Sequence, residues 1–535
     1  MTTDLLLLNG KIWTGAPRQP WAEALAVSGG VITAIGSNVE VATKKQAHTK
    51  TLDLGGKTVL PGFIDNHTHF MTGGFQLLSV NLRGSATPGD FARRIADKVK
   101  NLPKQRWLTG GGWNHELWAP ARLPAKELID RVTPRNPVFV TRLDLHMGLA
   151  NSYALKLAKI DRDTPNPPGG QIERNPVTGE PTGILKDAAM DLVTSVIPAP
   201  SNQEYEDALN AAMHHAASFG ITSIQDITSW PEWEAYRRLH QAGRLTVRIY
   251  ARTPIPAWEK QLDILMQQGN GDQWLRLGGV KGFIDGALGS GTALMFDPFD
   301  DEPENSGLLF DQMLPEGIMQ ERAQAANQAG LPVSIHAIGD KANHLLLQMY
   351  REIAAQPGSS LRGLRIEHAQ HIRPDDIKAI GALGLAVSMQ PVHLLDDGHW
   401  AERRIGPARA QTTLACRSFI DAGAKVSFGT DWPVAPLNPL LGIYAATTRN
   451  VDKNRFPEGW IPPQKISLTE AVQAYTLGSA YAEFAEHYKG SLEPGKLADM
   501  AVLSQDIFTI DPDAIPATEI LYTFVNGSIV YQSPT

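Results

Sequence analysis

Short apolar runs broken by turn signals occupy both ends of the chain. LLLLNGKIWTG sets two such runs on either side of Asn9-Gly10, a hairpin dipeptide, and AEALAVSGGVITAIG repeats the pattern around Gly29-Gly30. Near the other end, ADMAVLSQ is followed by ILYTFVNGSIVYQ, with Asn526-Gly527 at its turn. Two β-rich ends of one chain can pair, because termini often lie close together. The expected arrangement is one composite β-sandwich from 1–58 plus 488–535, wrapped around whatever lies between.

Between the ends, apolar strands alternate with amphipathic helices. Candidate strands lie at 62–66, 221–227, 245–252, 277–285, 332–338, 363–369, 385–390 and 425–431. EYEDALNAAMHHAASFG places Leu209, Met213 and Ala216 at helical spacing before a terminating Gly220. Eight strands with interposed helices count to an α/β fold of the (β/α)8 TIM-barrel kind, spanning 59–487. No Gly-rich phosphate loop follows any strand to favour a dinucleotide fold. The spacing fails once, after the first strand. The segment 71–219, with RWLTGGGWNHELW and PVFVTRLDLH, is too long for a loop, and at the carboxyl end of a barrel strand it reads as an insertion covering the active site.

Composition narrows the class. A hydrophobic fraction of 42% and a charged fraction of 20% over 535 residues are ordinary for a globular protein. With 49 basic and 56 acidic side chains the net charge is −7, which argues against a nucleic-acid partner. Cys416 is the only cysteine, so no internal disulfide and no cysteine zinc cluster can form. The segment 1–4 lacks a basic flank and the following leucine run is too short for a signal core or a membrane span, so no membrane association and a cytoplasmic location are the expectation. For oligomeric state the sequence offers only the general prior of a homodimer.

The strongest local signal is PGFIDNHTHF. His67 and His69 stand two apart at the end of a predicted strand, and period-two geometry puts both imidazoles on one face, where they can grip one metal. Alone, such a pair is weak among 15 histidines. VSIHAIGD, RIEHAQHI and VSFGTDWP add His336, His368 and Asp431 at three further strand ends, where barrel enzymes keep their chemistry. Lys281 in GGVKGFIDGALGS sits on the fourth strand. Burial disfavours its ammonium, and the neutral amine can add CO2 to give a carbamate able to bridge two cations. The plainer alternative is an ion pair with Asp285, four residues on.

H-x-H on strand one, lysine on four, histidines on five and six and aspartate on eight resemble the ligand order of the amidohydrolase superfamily. GGWNHELW, LDLHMGLANSYAL, NPPGGQIERNPVTGEPTGILKD, GITSIQDI, VKGFIDGALGSGTA, GTDWPVAP and GSLEPGKLADMAVL are similar to its YtcJ-like branch, amidohydrolase family 3, which includes N-substituted formamide deformylases. The resemblance runs over essentially the whole chain. It implies a barrel with two metals, His67, His69 and Asp431 on one, His336 and His368 on the other, and carboxylated Lys281 between them. Zinc is the expected ion, although manganese, iron or cobalt could fill the same set, and one ion rather than two could be bound. It further implies a metal-activated hydroxide attacking a carbonyl, with Asp431 as general base and then acid. Deaminases of the superfamily place a glutamate three residues after the strand-five histidine, whereas His336 is followed by Ala-Ile-Gly-Asp. The expected activity is hydrolysis of a non-peptide amide or formamide bond in a small molecule. The alternatives are an ester, carbamate or cyclic-amide hydrolase using the same site, or a ligand-binding barrel without catalysis.

Substrate clues are thinner. Trp113, His115 and Trp118 in the insertion and Trp432 after Asp431 would give an apolar or aromatic substituent a surface, and His146 could reach the substrate. Each tryptophan taken singly reads instead as packing the insertion onto the barrel. His371 and His393 rank below the six ligand candidates. His214 and His215 read as structural, Cys416 as core, Asp226 and Asp285 as groups orienting ligands, and Gly286 and Gly289 as loop backbone.

Overall fold

A computed structural model describes residues 3–534. Its centre is an eight-stranded parallel sheet rolled into a barrel, in chain order Phe63–Thr68, Ile221–Ile227, Arg248–Pro254, Leu275–Phe283, Val333–Ala337, Leu364–His368, Ala386–Met389 and Lys425–Phe428. Each strand pairs with the next. The first strand is buried at every position, as expected where helices cover one face of a sheet and the barrel interior fills the other.

The cylinder closes along one line. The first and last strands meet through a parallel bridge between Thr68 and Trp432, with Asp431 N donating to His67 O and His69 N to Trp432 O, each at 2.7 Å. Asp65 clamps the same line, accepting from Thr430 N at 2.9 Å and Thr430 Oγ1 at 2.5 Å.

The helix Asn202–Ser218 begins at a capping box in which Ser201 and Glu204 satisfy each other's backbone N–H groups. It buries Leu209, Ala212, Met213 and Ala216 on one face. That helix packs on Phe70–Leu78, where a Cβ on Gly74 would strike the Ala208 carbonyl oxygen; glycine is what allows the approach.

Both ends of the chain build two further sheets. One has four strands, ordered Val31–Gly36, Ala24–Ser28, Leu5–Leu8, Lys50–Asp53. The other has six and joins the two ends: Ser528–Gln532, Ile520–Val525, Met500–Leu503, Thr58–Pro61, Lys11–Trp13, Trp21–Ala22. Thr58–Pro61, which straddles the expected boundary at 58/59, is the strand through which the ends meet. Leu7, Ile12, Leu25, Val59, Met500 and Phe524 pack between these sheets. The turns at Gly29-Gly30 and Asn526-Gly527 have positive φ at both residues, the conformation a two-residue hairpin requires. Arg248, on the third barrel strand, grips Asp499 through two hydrogen bonds of 2.7 and 2.9 Å and ties barrel to sheet.

The segment after the first strand folds as a six-stranded mixed sheet ordered Gly170–Arg174, Pro181–Asp187, Met147–Ala150, Phe139–Arg142, Gly110–Trp113, Val80–Asn81. It has its own apolar core of Phe91, Trp113, Trp118, Val140 and Leu149. Among the described residues no helix is long and apolar enough to cross a membrane.

Candidate metal centre

His67 lies on the first barrel strand, and His69 is the cap of the helix that follows. Lys281 lies on the fourth strand, His336 on the fifth and His368 at the end of the sixth. Asp431 follows the eighth strand by three residues. All six line one pocket of ≈ 270 Å³ at the carboxyl end of the barrel.

Ligand-type atoms of His67, His368 and Asp431 lie within 4.8 Å of one another. Asp431 Oδ1 is 3.4 Å from His67 Nε2 and 3.3 Å from His69 Nε2, close contacts that lack hydrogen-bond geometry. The His336 and His368 rings are 4.4 Å apart, centre to centre, and those of His67 and His368 4.7 Å.

The orientation of each imidazole has a cause. His67 Nδ1 meets Glu367 Oε2 at 2.5 Å, His368 Nδ1 meets Gln390 Oε1 at 2.8 Å, and His336 Nε2 meets the Gly286 carbonyl at 2.9 Å. An acceptor on one ring nitrogen requires the proton there and leaves a lone pair on the other, the arrangement typical of metal-binding histidines. Burial holds His67 down at about 3 and His336 and His368 well below the usual imidazole range, so all three are neutral near pH 7. Asp431 is pushed up by burial, but His67, His69 and His368 outweigh that and hold its carboxyl well below the usual range.

Lys281 is fully buried, and burial brings its amine down to about 7 against the opposing pull of Glu367. Its Nζ has no hydrogen-bond partner among the described residues. The alternative ion pair with Asp285 does not form: Asp285 instead accepts from the backbone N–H groups of Leu294, Ile338 and Gly339 at 2.8 to 3.0 Å. Asp226 has a bracing position of its own, accepting from Phe70 N at 2.6 Å and Tyr236 OH at 2.7 Å just behind His69.

Of the five substrate-contact candidates, His146 lines the pocket, its ring 5.2 Å from that of His336 and its Nδ1 2.6 Å from Asp187 Oδ1. Burial alone would lower His146; the bond to Asp187 and the charges of Asp187 and Asp144 leave it raised. Trp113, His115, Trp118 and Trp432 are not among the described residues that line the pocket. Trp113 is buried in the insertion's core, its Nε1 donating to Val140 O at 3.1 Å. His115 is buried beside Trp113 and Glu116, and Trp432 packs its ring against Phe70, His215 and Gly73. Large apolar side chains next to a site are more stable packed into the protein than held open to it. His393 lines the pocket with Nε2 on Thr430 O, whereas His371 turns away to Thr413 Oγ1.

The site also depends on a carboxylate not anticipated from the sequence. Glu367, fully buried beneath His67, is held by Arg252 and Arg365 from strands three and six. Alternation along RIEH puts Glu367 and His368 on opposite faces, so only one of them would be expected inside. The backbone breaks that alternation: His368 has φ 74° and Ala369 φ 45°, and this left-handed turn swings the imidazole over the barrel mouth. Asp431 is aimed the same way, at φ 60°.

A family model described as an amidohydrolase family matches residues 50–531. The chain is 40% identical to "Protein LONG AFTER FAR-RED 3" of Arabidopsis thaliana, over 99% of this chain and 92% of the relative. It is 31% identical to "Putative amidohydrolase YtcJ" of Bacillus subtilis, over 98% of each chain. To "N-substituted formamide deformylase" of Arthrobacter pascens it is 28% identical, over 99% of this chain and 98% of the relative. Among solved structures, an uncharacterized metal-dependent hydrolase from Pyrococcus horikoshii superposes with a TM-score of 0.76 at 27% identity, covering 95% of this chain and 99% of its own.

Proposed function

The chain belongs to the amidohydrolase family, and from that premise we propose that it is a metal-dependent hydrolase of a non-peptide C–N bond, an amide or formamide, in a small molecule. One observation carries this reading. His67 Nε2, Asp431 Oδ1 and Lys281 Nζ are buried without hydrogen-bond partners among the described residues, and all three residues line one pocket. Buried polar atoms left unsatisfied cost free energy, and imidazole and carboxylate donors converging in this way suit a divalent ion, zinc first.

His67, His69 and Asp431 would hold one ion, His336 and His368 a second, and Lys281, as a carbamate, would stand between them. An ion in that set supplies an acidified water and polarises a carbonyl. The chain's own side chains do the rest. Glu367 keeps the proton of His67 on Nδ1, so the Nε2 lone pair stays directed at the site. Lys281, with its amine at about 7, is in part neutral near physiological pH. In that state the nitrogen can bond to the carbon of CO2 and release a proton to solvent. Asp431 would take a proton from the attacking water on its carboxylate and hand it to the departing amine nitrogen. His146, fixed through Nδ1 by Asp187, would offer its other ring nitrogen to the substrate, and the insertion that carries it would shield the reaction from water. The relative named N-substituted formamide deformylase supports the choice of bond.

The test joins metal analysis of the purified protein to assays with N-benzylformamide and p-nitrophenyl acetate. Bound metal with release of benzylamine is the expected result. Ester turnover alone would overturn the choice of bond, and absence of both metal and turnover would overturn the hydrolase reading.

A further inference from the structure

Metal chemistry accounts for the floor of the pocket but not for its wall. The lining above the histidines carries Asp191, Asp311 and Asp397, and none of them has a lysine or arginine within ion-pair distance among the described residues. Two other carboxylates in the wall are matched, Asp144 by Arg142 at 2.6 Å and Asp396, more loosely, by Arg83 at 3.9 Å. A fourth unmatched feature is independent of these. Asp187 is 6% exposed; its Oδ1 is taken by His146, while Oδ2 is buried with no hydrogen-bond partner. Phe310 and Trp400 supply aromatic surface in the same wall.

Carboxylates without counter-charges on a water-exposed face would be a solubility feature. Here two exposed carboxylates, Asp191 and Asp311, and the half-buried Asp397 border one concave site, whose low-dielectric walls concentrate their field. Aromatic faces attract the same sign of ligand through their quadrupole. Together these are the elements that recognise an organic ammonium. Burial and the adjacent Asp396 push Asp397 up to about 7 against the opposing effect of Arg142 and a 2.5 Å hydrogen bond from Gln370 Nε2, and a cation beside it would favour its charged form. A carboxylate-bearing ligand would meet the same wall as a barrier.

Building on the hydrolase reading, we propose that this pocket selects substrates whose substituent beside the scissile bond carries a cationic amine, and that it rejects anionic ones. Asp191, Asp311 and Asp397 supply the attraction, and the unsatisfied carboxylate of Asp187 behind His146 adds to it.

Calorimetry on the protein as purified tests the binding without turnover, using benzyltrimethylammonium, which cannot ligate a metal, against benzyl alcohol. The ammonium should bind about tenfold more tightly, and added salt should weaken it. Asp397→Asn should reduce that affinity about twofold to fivefold. The pair Asp191→Asn and Asp311→Asn, both exposed, should do the same should Asp397→Asn fail to fold. Equal binding of the two probes, or no effect of salt and of these variants, overturns the proposal. A second arm compares kcat/KM for N-[4-(aminomethyl)benzyl]formamide, N-benzylformamide and N-(4-carboxybenzyl)formamide, with the cation expected first and the anion last. Ammonium binding without any formamide turnover would overturn the proposed choice of bond and leave the cation site standing. Turnover without preference for the cation would do the reverse.

Discussion

Glu367→Gln keeps the shape of the side chain and removes its charge, and the structure says what should follow. The carboxylate receives the His67 Nδ1 proton at 2.5 Å, a hydrogen bond from Arg365 Nη2 at 3.1 Å and a short one from Arg252. Glutamine has one acceptor oxygen; its amide nitrogen would face a donor wherever it turned. Two buried guanidinium groups would lose their counter-charge, and breaking such a buried network costs about 3–5 kcal/mol. The imidazole would lose the acceptor that fixes its tautomer, a change that typically weakens metal affinity about 10- to 100-fold. Urea unfolding of the metal-free protein reads the first effect, and zinc competition against a chelator reads the second. The destabilisation should persist at high salt, because the network is buried. A variant with parental midpoint and parental zinc affinity would refute the argument that Glu367 positions His67.

Four further outcomes are expected. Lys281→Ala should lower metal occupancy, with partial recovery in short carboxylic acids, as read by elemental analysis; unchanged occupancy would remove the lysine from the site. Asp431→Asn should retain most of the bound metal and lose turnover, and surviving activity would require another base. Gly73→Ala would drive a Cβ into the Trp432 ring beside Asp431 and should cost about 1–3 kcal/mol by urea unfolding. Cys416 is buried, and burial pushes its thiol up to about 11, so it should react with a disulfide reagent at pH 8 only after the protein is unfolded.

The barrel was legible because its strands are apolar, short and regularly spaced. The expected 62–66 and 332–338 correspond to Phe63–Thr68 and Val333–Ala337, and the other six agree to within a few residues. Strand ends also pointed to the pocket, because a parallel barrel presents them all at one mouth. What stayed hidden depends on departures from regular backbone. Glu367 was missed because period-two alternation holds only while φ stays extended, and His368 leaves that region. Asp187 and Asp397 could not be placed at the pocket either, since each reaches it from a segment whose path over the barrel is set by tertiary packing. The tryptophans took the plainer of their two readings, packing rather than substrate contact. An aromatic near a site in sequence is most stable in the nearest core, and Trp113 and Trp432 found one.

The strand Thr58–Pro61 is sandwiched between Lys11–Trp13, made shortly before it, and Met500–Leu503, made far later along the chain. As the polypeptide leaves the ribosome, an unpaired hydrophobic edge must therefore wait for its neighbour until the whole barrel has been made. The nascent chain should depend on chaperones for that interval, and C-terminal truncations that spare every residue of the pocket should still aggregate.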